Sequence, residues 1–91
     1  MIDNRSEQRG SAHLRALWAD GRPAFGLWSL LADPVAAELL AATDLDFAVV
    51  DLQHGFASLG ELPTLLQAMR AGRLAPLVRV PWNEPAQIMR A

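Results

Sequence analysis

The stretch FAVVDLQHGF, residues 47–56, carries four apolar residues straight into Asp51, Gln53 and His54, followed by Gly55. An acid and an imidazole three residues apart at the end of an apolar run are groups that can move a proton. Imidazole titrates near working pH, which makes His54 the natural proton carrier. Asp51 could accept a hydrogen bond from one ring nitrogen, fixing the tautomer and leaving the other nitrogen as a base. Arg79, at the end of the run APLVR, could hold a carboxylate through two parallel hydrogen bonds or stabilise a developing oxyanion. Gly55 would let the backbone approach a ligand closely. Together these residues point to proton transfer on a small carboxylated substrate.

Each of them also has a purely structural reading. His54 can cap or pack at a strand end, Asp51 can serve a turn, and Arg79 can be one half of an ion pair. Trp28 can be core or can line a pocket. Trp18 reads as core. His13 falls on a face expected to be at least partly exposed, with no function assigned to it.

The elements that must position these residues follow from the apolar pattern. Residues 1–10 form a polar lead. Leu14, Leu17 and Trp18 fall at i, i+3 and i+4, a short amphipathic helix closed by Gly21. A strand is expected from about Ala24 to Ser29. Asp33 and Pro34 then open a helix, the first as cap and the second where a missing N–H costs nothing. DFAVVDL is the next strand, apolar through its middle as a strand covered on both faces would be. Ser58 and Glu61 have the spacing of a capping box, and Leu62, Leu65, Leu66 and Met69 keep one helical face apolar until Gly72. A third strand runs from Ala75 to Val80, and Asn83 is expected to cap a helix starting near Glu84 that is cut off at Ala91.

The order is a helix followed by three strand–helix units, the third incomplete. Such alternation argues for a parallel α/β sheet. Trp28, His54 and Arg79 recur roughly every 25 residues, the unit size of a (β/α)8 TIM barrel of about 250 residues. A doubly wound sheet would alternate similarly, but no G-x-G-x-x-G loop follows any strand. The expectation is therefore the first three βα units of a TIM barrel, preceded by a short helix and incomplete. In either architecture the strand ends would bring Trp28, Asp51, His54 and Arg79 to one edge of the sheet.

Composition narrows the chemistry. The chain is 52% hydrophobic and 20% charged, which excludes intrinsic disorder. A net charge of −2 gives no electrostatic case for nucleic acid or an anionic membrane. No apolar run is long enough to span a bilayer, and the polar N-terminus lacks a signal core, so a cytoplasmic protein is expected. With no cysteine there is no thiolate chemistry, and with no lysine there is no Schiff base.

Two segments carry a resemblance. GLWSLLADPVAAELLAATDLDFAVVDLQHG (residues 26–55) and APLVRVPWNEPAQIMRA (residues 75–91) resemble the N-terminal part of the HpcH/HpaI aldolases. These are metal-dependent, class II pyruvate aldolases, such as 4-hydroxy-2-oxoheptanedioate aldolase, met in the catabolism of aromatic compounds. The resemblance runs from about Leu14 to Ala91 and rests on G-L-W, D-x-x-H-G and V-R-x-P-W-N. It makes residues 11–91 the N-terminal portion of a TIM-barrel aldolase domain.

What the resemblance implies is specific. His54 becomes the base, Asp51 its partner, Arg79 the group that binds the pyruvate carboxylate and oxygen region, and Trp28 a pocket-lining residue. Gln53 stands where many members have a glutamate near the water shell of the metal, and is assigned to substrate binding. The cofactor would be a divalent ion (Mg2+, Mn2+ or Co2+). Its ligands, a Glu and an Asp on later strands, would lie beyond Ala91, so no metal ligand is assigned in this chain. The partners would be a small 2-oxo acid such as pyruvate and an aldehyde. The parent would be a homo-oligomer, a hexamer being common in the family. Alternatives are a non-catalytic remnant serving as an interaction fragment, or a citrate-lyase-type enzyme acting on CoA esters.

Overall fold

The computed structural model describes residues 8–91, so residues 1–7 of the polar lead expected over residues 1–10 lie outside the described residues, and Gly10, its last residue, opens the first helix. The elements are α1 (Gly10–Ala19), β1 (Gly26–Ser29), α2 (Pro34–Ala41), β2 (Phe47–Asp51), α3 (Leu62–Met69), β3 (Ala75–Arg79) and α4 (Pro85–Arg90). The three strands make one parallel sheet in the order β1-β2-β3. This is the α/β alternation expected from the sequence, with β1 starting two residues later than anticipated.

The pleat sorts the strand residues between two faces. Ala48 and Val50 of β2 point to the side covered by α2 and α3. There they join Ala37, Leu52, Ala57, Leu62, Leu65, Met69 and Leu74 in the core. On the other face the register lines up Gly26, Phe47 and Ala75, then Trp28, Val49 and Leu77, then Asp51 and Arg79. Gly26 has no Cβ because the ring of Phe47 lies where one would be. This second face is only partly covered: Trp28 is 53% exposed and Leu77 is 39% exposed.

Local signals explain the ends of the helices. Asp33 accepts a hydrogen bond from the Val35 N–H at 2.9 Å, and Pro34 opens α2, as expected. The last turn of α1 is closed by Gly21 at φ +67°, with the Gly21 N–H donating to Trp18 O and the Arg22 N–H to Leu17 O. This paired arrangement satisfies two end carbonyls and needs the left-handed conformation that glycine adopts freely.

Four expectations are corrected in detail. Glu61 does reach back to the Ser58 N–H at 3.1 Å, but Ser58 sits in a preceding turn and Glu61 itself is the N-cap of α3. Asn83 does not cap α4; Glu84 holds that position without a side-chain bond. Trp18 is not core, at 60% exposed, and His13 is not exposed, at 7%. The last two have one cause. The buried face of α1 is His13, Leu14 and Leu17, because the His13 Nε2 meets the Asp46 carboxylate at 2.8 Å. That contact turns the helix so that Trp18 leaves the interface.

Exposed apolar side chains are numerous for so small a fold. Leu27, Leu30, Leu31 and Leu39 line one hollow along β1 and α2, while Leu77, Trp82, Ile88 and Met89 are exposed elsewhere. Both outer strands also leave an edge of the three-stranded sheet without a neighbouring strand among the described residues. The isolated chain is therefore expected to self-associate. Sedimentation velocity over a hundredfold concentration range should show mass rising with concentration, and a monomer throughout would contradict it.

Candidate active site

Asp51 ends β2 and lies directly opposite Arg79 at the end of β3 in the parallel register. The Leu52 N–H donates to Arg79 O at 2.9 Å, which carries the ladder one step past the strand end. This pairing brings two opposite charges together at the C-terminal edge of the sheet, where parallel α/β folds place their functional groups.

The Asp51 carboxylate is 1% exposed and accepts five hydrogen bonds. Arg79 donates from Nε to Oδ1 at 3.0 Å and from Nη2 to Oδ2 at 2.6 Å. The Trp28 indole Nε1 donates to Oδ2 at 2.9 Å. The backbone N–H groups of Gln53 and His54 donate to Oδ1 at 2.9 and 3.0 Å. The Arg79 guanidinium also lies over the Trp28 ring, 5.1 Å from its centroid, within cation–π range. The Arg79 guanidinium, opposed by burial and helped by the Trp28, His54 and Gln53 donors, holds the Asp51 carboxyl well below the usual carboxylate range.

The sequence-derived residues are thus brought together, but with different partners from those expected. Asp51 meets His54 through the backbone N–H of His54, not through its ring. A carboxylate offers about four lone-pair sites. Five donors already fill Asp51, so none is left to orient the imidazole. His54 and Gln53 are exposed in the loop beyond β2, and no hydrogen bond to the His54 ring occurs among the described residues. Gly55 serves close packing of the chain on itself: a Cβ there would strike the Asp51 carbonyl and the Leu30 backbone, and the Phe56 N–H reaches Leu30 O at 2.8 Å.

Trp82 and Asn83 were not singled out as site residues, yet with Gln53 and Val80 they line a cavity of about 340 Å3 beside this edge. The available signal was positional, since V-P-W-N follows β3 as L-Q-H-G follows β2. At the opposite end of β2, Asp46 accepts hydrogen bonds from His13 Nε2 and, at 2.9 Å, from the Phe25 N–H. Burial pushes the Asp46 carboxyl up, but the Phe25 N–H, His13 and Arg73 outweigh it and leave the carboxyl below its ordinary value.

Among the described residues no group of three or more His, Asp or Glu side chains is placed to hold a metal ion. The oxygens of Asp51 are committed to N–H donors. The residues present do not form a centre for the divalent ion that the resemblance implies.

The geometry defines a parallel α/β segment with a charged, carboxylate-centred cluster at its C-terminal strand ends. Comparison with known proteins narrows this class. The chain is 38% identical over 77 residues to a hydroxypyruvate/pyruvate aldolase of Rhizorhabdus wittichii, a match covering 85% of this chain and 31% of that protein. It is 41% identical over 68 residues to a 4-hydroxy-2-oxo-heptane-1,7-dioate aldolase of Salmonella dublin, covering 75% and 26%. An HpcH/HpaI aldolase/citrate lyase family protein from Burkholderia cenocepacia superimposes with a TM-score of 0.77 at 34% identity, over 87% of this chain and 32% of that one. No family model matches. Over its matched residues the chain is similar to HpcH/HpaI-type aldolases, and it spans less than a third of the length of these relatives.

The depressed Asp51 carboxyl fixes a pH dependence. A carboxyl lowered by folding contributes stability above its ordinary value of 3.8 and loses it as pH falls toward the folded value. Asp51→Asn should therefore lower the thermal midpoint at neutral pH, and the gap to wild type should narrow between pH of about 4 and about 2. Circular dichroism melts of both proteins across that range check this, and a gap independent of pH would contradict it.

Proposed function

We propose that this chain is the N-terminal part of a divalent-metal-dependent aldolase, a TIM barrel in its complete form, that cleaves 4-hydroxy-2-oxo acids to pyruvate and an aldehyde. The single observation that carries the reading is the cluster of Arg79, Asp51 and Trp28 at the strand ends, beside the loop that holds Gln53 and His54. The aldolase relatives add support, and the three parallel strands with an uncovered second face fit the first three βα units of a barrel whose later strands would cover it.

In the retro-aldol reaction the 4-hydroxyl loses a proton, the C3–C4 bond breaks, and its electron pair passes to the C2 oxygen as an enolate. Protonation at C3 then gives pyruvate, and the aldehyde leaves. Arg79 suits the anionic end, holding the carboxylate or the developing oxyanion through charge-assisted hydrogen bonds. His54, exposed in the adjacent loop, carries the imidazole that suits proton transfer at the hydroxyl. Trp28 and Gln53 border the same edge and are assigned to substrate contact. Metal ligands would come from segments that these residues do not include, so the 91-residue chain alone lacks part of the reaction machinery.

Pyruvate release from 4-hydroxy-2-oxoheptanedioate with added Mn2+ tests the reading. The chain alone should give no turnover. A chimera in which residues 14–91 replace the matching segment of the Rhizorhabdus wittichii aldolase should turn over. In that chimera His54→Ala should lower kcat by about 10²–10⁴-fold. A folded but inactive chimera, or an unchanged kcat, would count against the proposal.

A further inference from the structure

Arg79 has five N–H donors in a planar fan. Asp51 takes the side-on pair, Nε–H and one Nη2–H, at 3.0 and 2.6 Å. The end-on pair, an Nη1–H and the outer Nη2–H, has no partner among the described residues, and the side chain is 36% exposed. The guanidinium has a second contact besides Asp51, because its central carbon lies over the Trp28 ring, 5.1 Å from the centroid. Asp51 cannot swing away with the arginine, since Trp28 Nε1 and the Gln53 and His54 N–H groups hold it from other directions.

We propose that Asp51 is a positioning residue: with Trp28 it locks the Arg79 guanidinium side-on, so that the end-on Nη edge is presented to the carboxylate of a 2-oxo acid. The inference rests on the reading of Arg79 as the anion-binding group. It differs from the expectation that Asp51 partners the ring of His54, and it gives Trp28 a second role as donor and platform. A carboxylate beside an arginine has two opposed effects on anion binding. Its charge weakens the attraction, whereas its fork fixes an otherwise flexible side chain whose ordering would have to accompany binding. Here a buried carboxylate with five donors favours the geometric effect, and the sign of the outcome separates the two.

The probe is radiolabelled pyruvate in equilibrium dialysis against the 91-residue chain at fixed ionic strength, with each variant checked by circular dichroism. Wild type should bind saturably, and Arg79→Lys should abolish most binding, because a point charge lacks the fork. Asp51→Asn should raise Kd by about tenfold or more, although it removes a negative charge, and Trp28→Phe should raise it several-fold. Binding that depends on Arg79 but is unchanged or tighter in Asp51→Asn would overturn the positioning role and leave the anion-binding reading standing. If Asp51→Asn does not fold, Trp28→Phe decides, and an unchanged Kd there would overturn the clamp. No saturable binding by wild type, or binding indifferent to Arg79→Lys, would remove the anion-binding reading and this inference together.

Discussion

The carboxylate of Asp51 ties together the ends of all three strands, and the arrangement of the C-terminal edge of the sheet follows from how its two oxygens are shared. One oxygen takes the Gln53 and His54 backbone N–H groups and Arg79 Nε; the other takes Trp28 Nε1 and Arg79 Nη2. A buried carboxylate is costly unless paired and fully hydrogen-bonded, and this one is both. Its donors come from β1, from β3 and from the loop just beyond β2, so satisfying one charge sets the relative position of three segments far apart in sequence. The loop bearing His54 is folded back by the same bonds, which hold the His54 backbone at the edge and leave its ring without a hydrogen bond among the described residues.

A second carboxylate marks the other end of β2. Asp46 joins α1 through His13 and the residue just before β1 through the Phe25 N–H, while its own N–H donates to Phe25 O at 2.7 Å and its carbonyl accepts from the Ala75 N–H at 2.9 Å. Both acids therefore bridge neighbouring segments, but their partners differ in kind. Those of Asp46 are a helix histidine and backbone groups, which fix α1 across the N-terminal strand ends. Asp51 holds an arginine whose side chain is partly exposed and whose other donors have no partner among the described residues. In a parallel sheet the C-terminal ends are where loops leave room for a ligand, and this division of labour matches that asymmetry.

Much of the rest was legible in the sequence for reasons that are local. Asp33 followed by Pro34 specifies a helix start whatever surrounds it, and the apolar run before Asp51 specifies a strand buried at its centre. The periodic Leu62, Leu65 and Met69 specify the face that α3 buries. The alternation of these elements was enough for the parallel α/β class, and the strand-end positions of Trp28, Asp51 and Arg79 were enough to gather them at one edge. The motifs that carry the resemblance lie at these same ends, which is why site and relationship were read from the same residues.

What sequence alone determined is the set of elements, their order, and the list of polar groups at the strand ends, because each depends on neighbours within a few residues. Partner choice was decided by tertiary structure. Asp51 lies three residues from His54 yet bonds the side chain of Arg79, 28 positions away, because parallel register sets those two Cα positions side by side. His13 is buried and Trp18 exposed because Asp46, 33 positions from His13, supplies a hydrogen bond that helical periodicity does not encode. Spacing along a chain reports which face a residue can occupy, whereas a hydrogen bond between distant segments selects among the faces that spacing leaves open.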